Sequence, residues 1–272
     1  MVNSQESKRA QSAIADPAAG QTAVVSLRDV TKSYPNGLLA LGPLSLSITR
    51  GEFVSLLGPS GCGKSTALRL IAGLTAPSSG RVELSTPAKR QIGQGVGFVF
   101  QEPTLMPWAS VRDNVGLPLK LGHVPATEAH PRIEASLRQV GLAEFAEAFP
   151  RELSGGMKMR VSLARALVTD PDVLLMDEPF AALDEITRFQ LNNDLLTLWR
   201  TLRKTIIFVT HSVFESVYLS QRILMMTPRP GRIGASFDIA TSAPRTEDFR
   251  TSAEYVAFCR QVSAALLPRE RP

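Results

Sequence analysis

GPSGCGKST, residues 58–66, decides how the rest of this sequence is read. It fits the pattern G-x-x-x-x-G-K-[ST], from Gly58 through Gly63, Lys64 and Ser65. Glycines at these places let backbone N–H groups turn inward around phosphate oxygens. The lysine can reach the β- and γ-phosphates, and the serine hydroxyl can hold Mg²⁺. The candidate phosphate-binding residues are therefore Gly58, Pro59, Ser60, Gly61, Cys62, Gly63, Lys64, Ser65 and Thr66. EFVSLL (52–57) before the motif is a short apolar run, read as a buried strand; Leu68 and Ile71 after it continue a helix that Gly73 ends. Strand, glycine loop and helix are the context this motif requires. A plain glycine turn in a βα unit would leave Lys64 and Ser65 at that spacing to chance.

Working outward, VVSLRDV (24–30) reads as a strand, and LSLSI (44–48) alternates apolar and polar as a half-buried strand does. APSSGRVEL (76–84) reads as a turn and a strand, and GVGFVF (95–100) as another strand. From about 104 to 168 the character becomes helical, with Ile133, Leu137 and Val140 at helical spacing and a further helix over 156–168. VLLMD (173–177), TIIFVT (205–210) and RILMM (222–226) are continuous apolar runs, which suit central strands of a parallel sheet covered on both faces. Helical stretches between them make the pattern α/β. Residues 1–22, rich in Ser, Gln and Ala without periodicity, read as a disordered tail. The stretch 234–272 reads as a short C-terminal extension with a helix over 252–267.

Several residues are placed to act on a bound nucleotide. LLMDEP (174–179) ends an apolar strand in two acids. Beside a phosphate loop, Asp177 can hold the Mg²⁺ shell, and Glu178, pointing to the other side, can polarise a water for in-line attack on the γ-phosphate. Standing alone, the same residues would read as an acidic turn. His211 follows TIIFVT and Gln101 follows GVGFVF, where strands of such a sheet deliver side chains to the γ-phosphate side; each by itself is as well explained structurally. Tyr34, in KSYPNG, can stack on adenine or pack on the sheet as a turn aromatic.

LSGGMKMR (153–160) is a second glycine-rich helix start. Ser154 can cap the helix, with Gly155 and Gly156 easing its entry. Free N–H groups at a helix start also suit phosphate.

In this order, Tyr34, the loop 58–66, Gln101, LSGG, the acids at 177 and 178, AALD (181–184) and His211 resemble the ATP-binding-cassette ATPases, over about residues 24–233. The resemblance implies a P-loop NTPase (RecA-like) core with an antiparallel β subdomain and a helical insert subdomain over about 104–168, all within 23–233. It implies ATP and Mg²⁺ as cofactors. Tyr34 would stack on adenine, and Gln101 would sense Mg²⁺ and γ-phosphate and touch a membrane partner. Asp177 and Glu178 would be the metal and catalytic acids, Asp184 would lie in the loop that crosses to the other subunit, and His211 would be the γ-phosphate switch. The chain would work as a homodimer, each ATP held by the phosphate loop of one subunit and by Ser154, Gly155 and Gly156 of the other. QEPTLMPWASVRDNVGLPL (101–119) and TPRPGRI (227–233) are similar to the importers of nitrate, taurine and aliphatic sulfonates. Partners would then be separate permease subunits and, indirectly, a solute-binding protein. The sequence departs from the family pattern at Met157, Met159 and Gln221.

Composition agrees with this. Apolar residues are 44% and charged residues 20% of 272, as in a globular chain able to bury a core. The net charge is +5, without the basic run of a nucleic-acid arm, and it suits a polyphosphate ligand or work near an anionic membrane face. Cys62 and Cys259 are expected to be free thiols in a reducing compartment. No apolar run approaches the roughly 20 residues of a spanning helix. The expected location is peripheral, on the cytoplasmic face of a membrane crossed by another chain. A guanine-specific Asn-Lys-x-Asp motif is missing, and a second cassette or long coiled-coil insert, the mark of cassettes that act on nucleic acid, is also missing.

Overall fold

The computed structural model describes residues 23–85, 95–241 and 245–266. The tail expected over 1–22 lies outside the described residues. The first unit is an antiparallel sheet of β1 (Ala23–Ser33), β2 (Leu39–Thr49) and β4 (Ser79–Leu84) in the order β2-β1-β4. β2 contains Pro43, which lacks a ladder donor; this is tolerated because β2 is an edge strand. Val25, Leu27, Leu44 and Ile48 of this sheet bury themselves with Leu68 and Ile71 of the helix α1 (Lys64–Ile71).

The second unit is a six-stranded sheet. Its members are β3 (Phe53–Leu57), β5 (Val96–Val99), β6 (Val173–Asp177), β7 (Thr205–Thr210), β8 (Arg222–Met226) and β9 (Ile233–Asp238), ordered β5-β6-β7-β3-β8-β9. All neighbours are parallel except β8 and β9. β3, β6 and β7 are buried at every position, as their unbroken apolar runs require. Register aligns Leu57 with Thr210, and Asp177 with Val209, so the three strands end at one edge of the sheet. The phosphate loop, the acid pair and His211 all leave from that edge.

Helices α2 (Val111–Leu121), α3 (Ala126–Gln139) and α4 (Gly155–Leu167) form the expected helical insert. It begins later than expected. Residues 104–110 are irregular, Thr104 adopts φ 47, and Ser110 caps α2 by accepting a hydrogen bond from Asp113 N. Ile133 and Leu137 are buried, as their spacing predicts. α5 (Glu185–Leu202), α6 (Val213–Leu219) and α7 (Ala253–Leu266) complete the α-helices of the described residues. None of them is long and apolar enough to cross a membrane.

One expectation changes toward the end of the chain. The stretch after 233 does not begin as an appendage, because 233–238 is strand β9, paired antiparallel with β8. Gln221, where the sequence departs from the family pattern, holds Phe53 from both sides: its Oε1 accepts from Phe53 N at 3.3 Å, and its backbone N–H donates to Phe53 O at 2.8 Å.

Candidate functional site

The loop 58–63 turns back on itself through glycines. Gly63 has φ 100 and caps α1; a Cβ there would lie 2.6 Å from Leu41 Cδ2 and 3.0 Å from Ala40 O. Only glycine combines that dihedral with that closeness. Lys64 is the first residue of α1 and is 4% exposed. Its Nζ donates to Gly58 O at 2.8 Å and to Pro59 O at 3.1 Å. A buried ammonium resting on backbone carbonyls, within a loop of N–H groups, fits a polyphosphate. Burial pushes the Cys62 thiol above its usual range, so this residue is packing rather than a nucleophile.

Ser65 Oγ donates to Asp177 Oδ1 at 2.7 Å. A hydroxyl and a carboxylate side by side are the hard oxygen donors that Mg²⁺ takes. Burial raises the Asp177 pKa above the usual carboxylate range, which the Ser65 hydrogen bond opposes and the Glu178 charge reinforces.

Glu178 follows at φ 46, with its N–H donating to Val209 O at 3.0 Å. This left-handed turn separates it from its neighbour. Asp177 meets Ser65, whereas Glu178 Oε1 lies 3.5 Å from Lys64 Nζ and Oε2 lies 3.0 Å from His211 Nδ1. The expected divergence of the two acids is present. The His211 side chain is about half exposed.

A network missed in the sequence holds the His211 loop. Thr210 Oγ1 bonds to Glu215 Oε2 and accepts from Ser212 N at 3.0 Å, while Ser212 Oγ accepts from Glu215 N at 3.3 Å. Glu215 is buried, and burial raises its pKa. The spacing Ser212-x-x-Glu215 was the available signal, a capping-box pattern.

Gln101 follows β5 and is exposed; among the described residues no hydrogen bond joins it to Ser65 or Asp177. The loop behind it is fixed from two sides. Buried Asn114 accepts from Met106 N at 2.8 Å and donates to the carbonyls of Met106, Ala109 and Ser110. Arg165 of α4 donates to the carbonyls of Pro103 and Thr104. Tyr34 is half-buried in the turn between β1 and β2, with Lys32 Nζ 5.4 Å from its ring centre.

The LSGG residues and Asp184 form a second group. Ser154 caps α4, accepting from Met157 N at 3.2 Å. Ser154 and Gly155 are exposed, whereas Gly156 is pressed on α5, where a Cβ would come 2.6 Å from Thr187 Cγ2. Asp184 caps α5 by accepting from Thr187 N at 2.9 Å, and that bond lowers its pKa. Met159 is buried in the core rather than at a contact surface. α4 packs beside β5, and β6 and β7 separate β5 from β3. The described contacts of Ser154, Gly155 and Gly156 go to Met157, Leu183 and Thr187, and none of them reaches the loop 58–66.

The profile of the ABC transporter family matches residues 41–181. The taurine import ATP-binding protein TauB of Rhizobium johnstonii is 50% identical over 206 residues, 76% of this chain and 79% of that protein. The nitrate import ATP-binding protein NrtD of a Synechocystis species is 40% identical over 253 residues, 91% of this chain and 95% of that protein. Among solved structures, the dimeric post-hydrolysis state of the ATP-binding cassette MJ0796 bound to ADP and Pi is similar with TM-score 0.69 at 33% identity, covering 80% of this chain and 99% of that one. With its phosphate loop, acid pair and LSGG helix start in place, the chain belongs to the ABC transporter family and is an ATP-hydrolysing cassette of it.

Proposed function

We propose that this chain is the ATPase subunit of an importer of a small solute such as nitrate, a sulfonate or taurine, working as a dimer against a separate permease. The observation that carries the catalytic part is Glu178 meeting both Lys64 and His211. In the proposed roles, Gly58 to Thr66 wrap the phosphates and Lys64 transfers its donors from loop carbonyls to phosphate oxygens. Glu178 takes the proton of the attacking water on its carboxylate, and His211, hydrogen-bonded to Glu178, holds the γ-phosphate side. Mg²⁺ would be held by Ser65 and Asp177, with Gln101 joining on closure, and would neutralise charge on the β- and γ-phosphates. Tyr34 would stack on adenine.

That the described contacts of Ser154, Gly155 and Gly156 go to Met157, Leu183 and Thr187 and not to the loop 58–66 supports a composite site. Ser154, Gly155 and Gly156 would serve the partner's ATP, and Asp184 would lie in the crossing loop between them. The taurine and nitrate import relatives support the importer assignment. Trp108, 77% exposed in the loop after Gln101, supports a docking surface for the permease. Because Arg165 ties that loop to α4, movement of the LSGG helix would reach the permease directly. A solute-binding protein would act on the far side of the membrane, this subunit would sit on the cytoplasmic face, and no nucleic acid would take part.

The test is reconstitution in liposomes with the permease that co-purifies with the chain and with its solute-binding protein. Uptake of labelled nitrate, taurine or an alkanesulfonate should require ATP on the side of this subunit. Hydrolysis without uptake of any of the three would overturn the importer assignment.

A further inference from the structure

The turn 227–232 has no part in the roles above, yet it grips the outside of the phosphate loop. Arg229 Nε donates to Gly61 O at 3.0 Å. Two residues on, the backbone of Gly231 rests on the next carbonyl, so close that a Cβ there would lie 1.9 Å from Cys62 O. Met226, where the turn begins, lies against the start of the loop: a Cβ on Gly58 would come 2.8 Å from Met226 O. The turn is closed by Thr227 N donating to Arg232 O at 2.9 Å. It is anchored to β2 by Gly231 N donating to Ala40 O at 3.0 Å and by Gly42 N donating to Gly231 O at 3.2 Å.

Two consecutive loop carbonyls, those of Gly61 and Cys62, therefore face this turn. In a trans peptide the C=O and the following N–H point to opposite sides. Turning the Gly61 carbonyl toward Arg229 turns the Cys62 N–H into the loop, where it meets Pro59 O at 3.3 Å. Turning the Cys62 carbonyl toward Gly231 turns the Gly63 N–H the same way. Inward N–H groups are what a phosphate-binding loop needs.

We propose that the turn 227–232 is a strap that sets the direction of these N–H groups, and that Arg229 is a positioning residue for ATP acting through the Gly61 carbonyl. The proposal rests on the assignment of 58–66 as the ATP phosphate loop. Because β2 follows the turn that carries Tyr34, the strap also ties the phosphate loop to the sheet expected to carry the adenine contact.

The test compares Arg229→Ala, Arg229→Lys and Gly231→Ala with wild type, using steady-state ATPase kinetics and calorimetry with ATP. Arg229→Ala should raise KM and the ATP dissociation constant about fivefold with kcat within about twofold, the loss expected for one exposed charged hydrogen bond. Arg229→Lys should recover most of the affinity, since its ammonium can reach the same carbonyl. Gly231→Ala should weaken ATP more, and the exposed position of Arg229 keeps the test valid if that variant does not fold. Wild-type KM in Arg229→Ala overturns the proposal. So does a lowered kcat at unchanged KM, which marks a structural role, or a failure of lysine to rescue. Lys64→Ala separates the two levels: if it keeps wild-type ATP affinity, the phosphate-loop assignment itself fails; if it loses ATP while Arg229→Ala does not, only the strap fails.

Discussion

Ser65 Oγ and Asp177 Oδ1 are joined by a 2.7 Å hydrogen bond across 112 residues of sequence. The bond brings the start of α1 to the end of β6, and it makes two hard oxygen donors neighbours. Burying the carboxyl there costs the fold stability that the bond only partly offsets, because burial raises the Asp177 pKa and the Ser65 hydrogen bond opposes it. For an acid whose folded pKa is raised, the folded chain binds the proton more tightly than the unfolded one. Stability therefore falls as pH rises from the ordinary carboxylate range through the raised value. Asp177→Asn should raise the melting temperature of the nucleotide-free protein at pH 8 by about 2 °C, and by less at pH 5, while abolishing Mg²⁺-dependent hydrolysis. Scanning fluorimetry at the two pH values, with an ATPase assay, checks both halves. A variant that is less stable at pH 8 than wild type would contradict the electrostatic account.

Glu178 lies between Lys64 and His211, and glutamine keeps its shape while removing its basicity. Glu178→Gln should bind ATP yet hydrolyse it at least about a hundredfold more slowly, and should accumulate as a closed dimer in gel filtration. Near-normal steady-state hydrolysis would remove Glu178 from the role of base.

Lys64 is buried with its charge directed at loop carbonyls and Glu178. Lys64→Ala should lose at least about tenfold in ATP affinity by calorimetry, the scale of a lost charge-assisted contact. Unchanged affinity would count against the phosphate-loop assignment.

Thr210 supports His211 from beneath, through Ser212 N and the buried Glu215 carboxyl. Thr210→Val leaves these groups without their partner. It should cost about 1–3 kcal/mol in urea unfolding, the price of unsatisfied buried groups. It should also lower kcat with KM for ATP unchanged. Wild-type kcat in a destabilised variant would confine the network to stability.

The candidate site was legible in the sequence as a set of residues, because phosphate and metal binding restrict residue type and spacing together. Gly58 to Ser65, Asp177, Glu178 and His211 lie at one sheet edge because continuous apolar runs deliver them there. Strand β9 was missed although Ile233, Ala235 and Phe237 alternate with Gly234, Ser236 and Asp238 as a half-buried strand does, because Gly234 reads as a break. β2 was read only over its alternating half, since Gly42 and Pro43 look like a turn until β2 is known to be an edge. Nothing local announces Arg245, which burial lowers to about 10 and which donates to the carbonyls of Tyr218 and Ile239. Arg250, 3.9 Å over the Tyr218 ring, is equally a product of long-range packing. Among the described residues Gln101 and Tyr34 find no nucleotide-site partner; the groups proposed for them belong to ATP and to other subunits.

The central claim is that each ATP is enclosed by Lys64 of one subunit and Ser154 of another. Mixing Ser154→Arg subunits with Lys64→Ala subunits tests it most directly, because each homodimer should be inactive while a heterodimer keeps one complete site. The account requires that ATP binding at the interface and hydrolysis, absent from both pure proteins, return on mixing and peak near equal proportions. No recovery at any ratio, or full activity in Ser154→Arg alone, would contradict it.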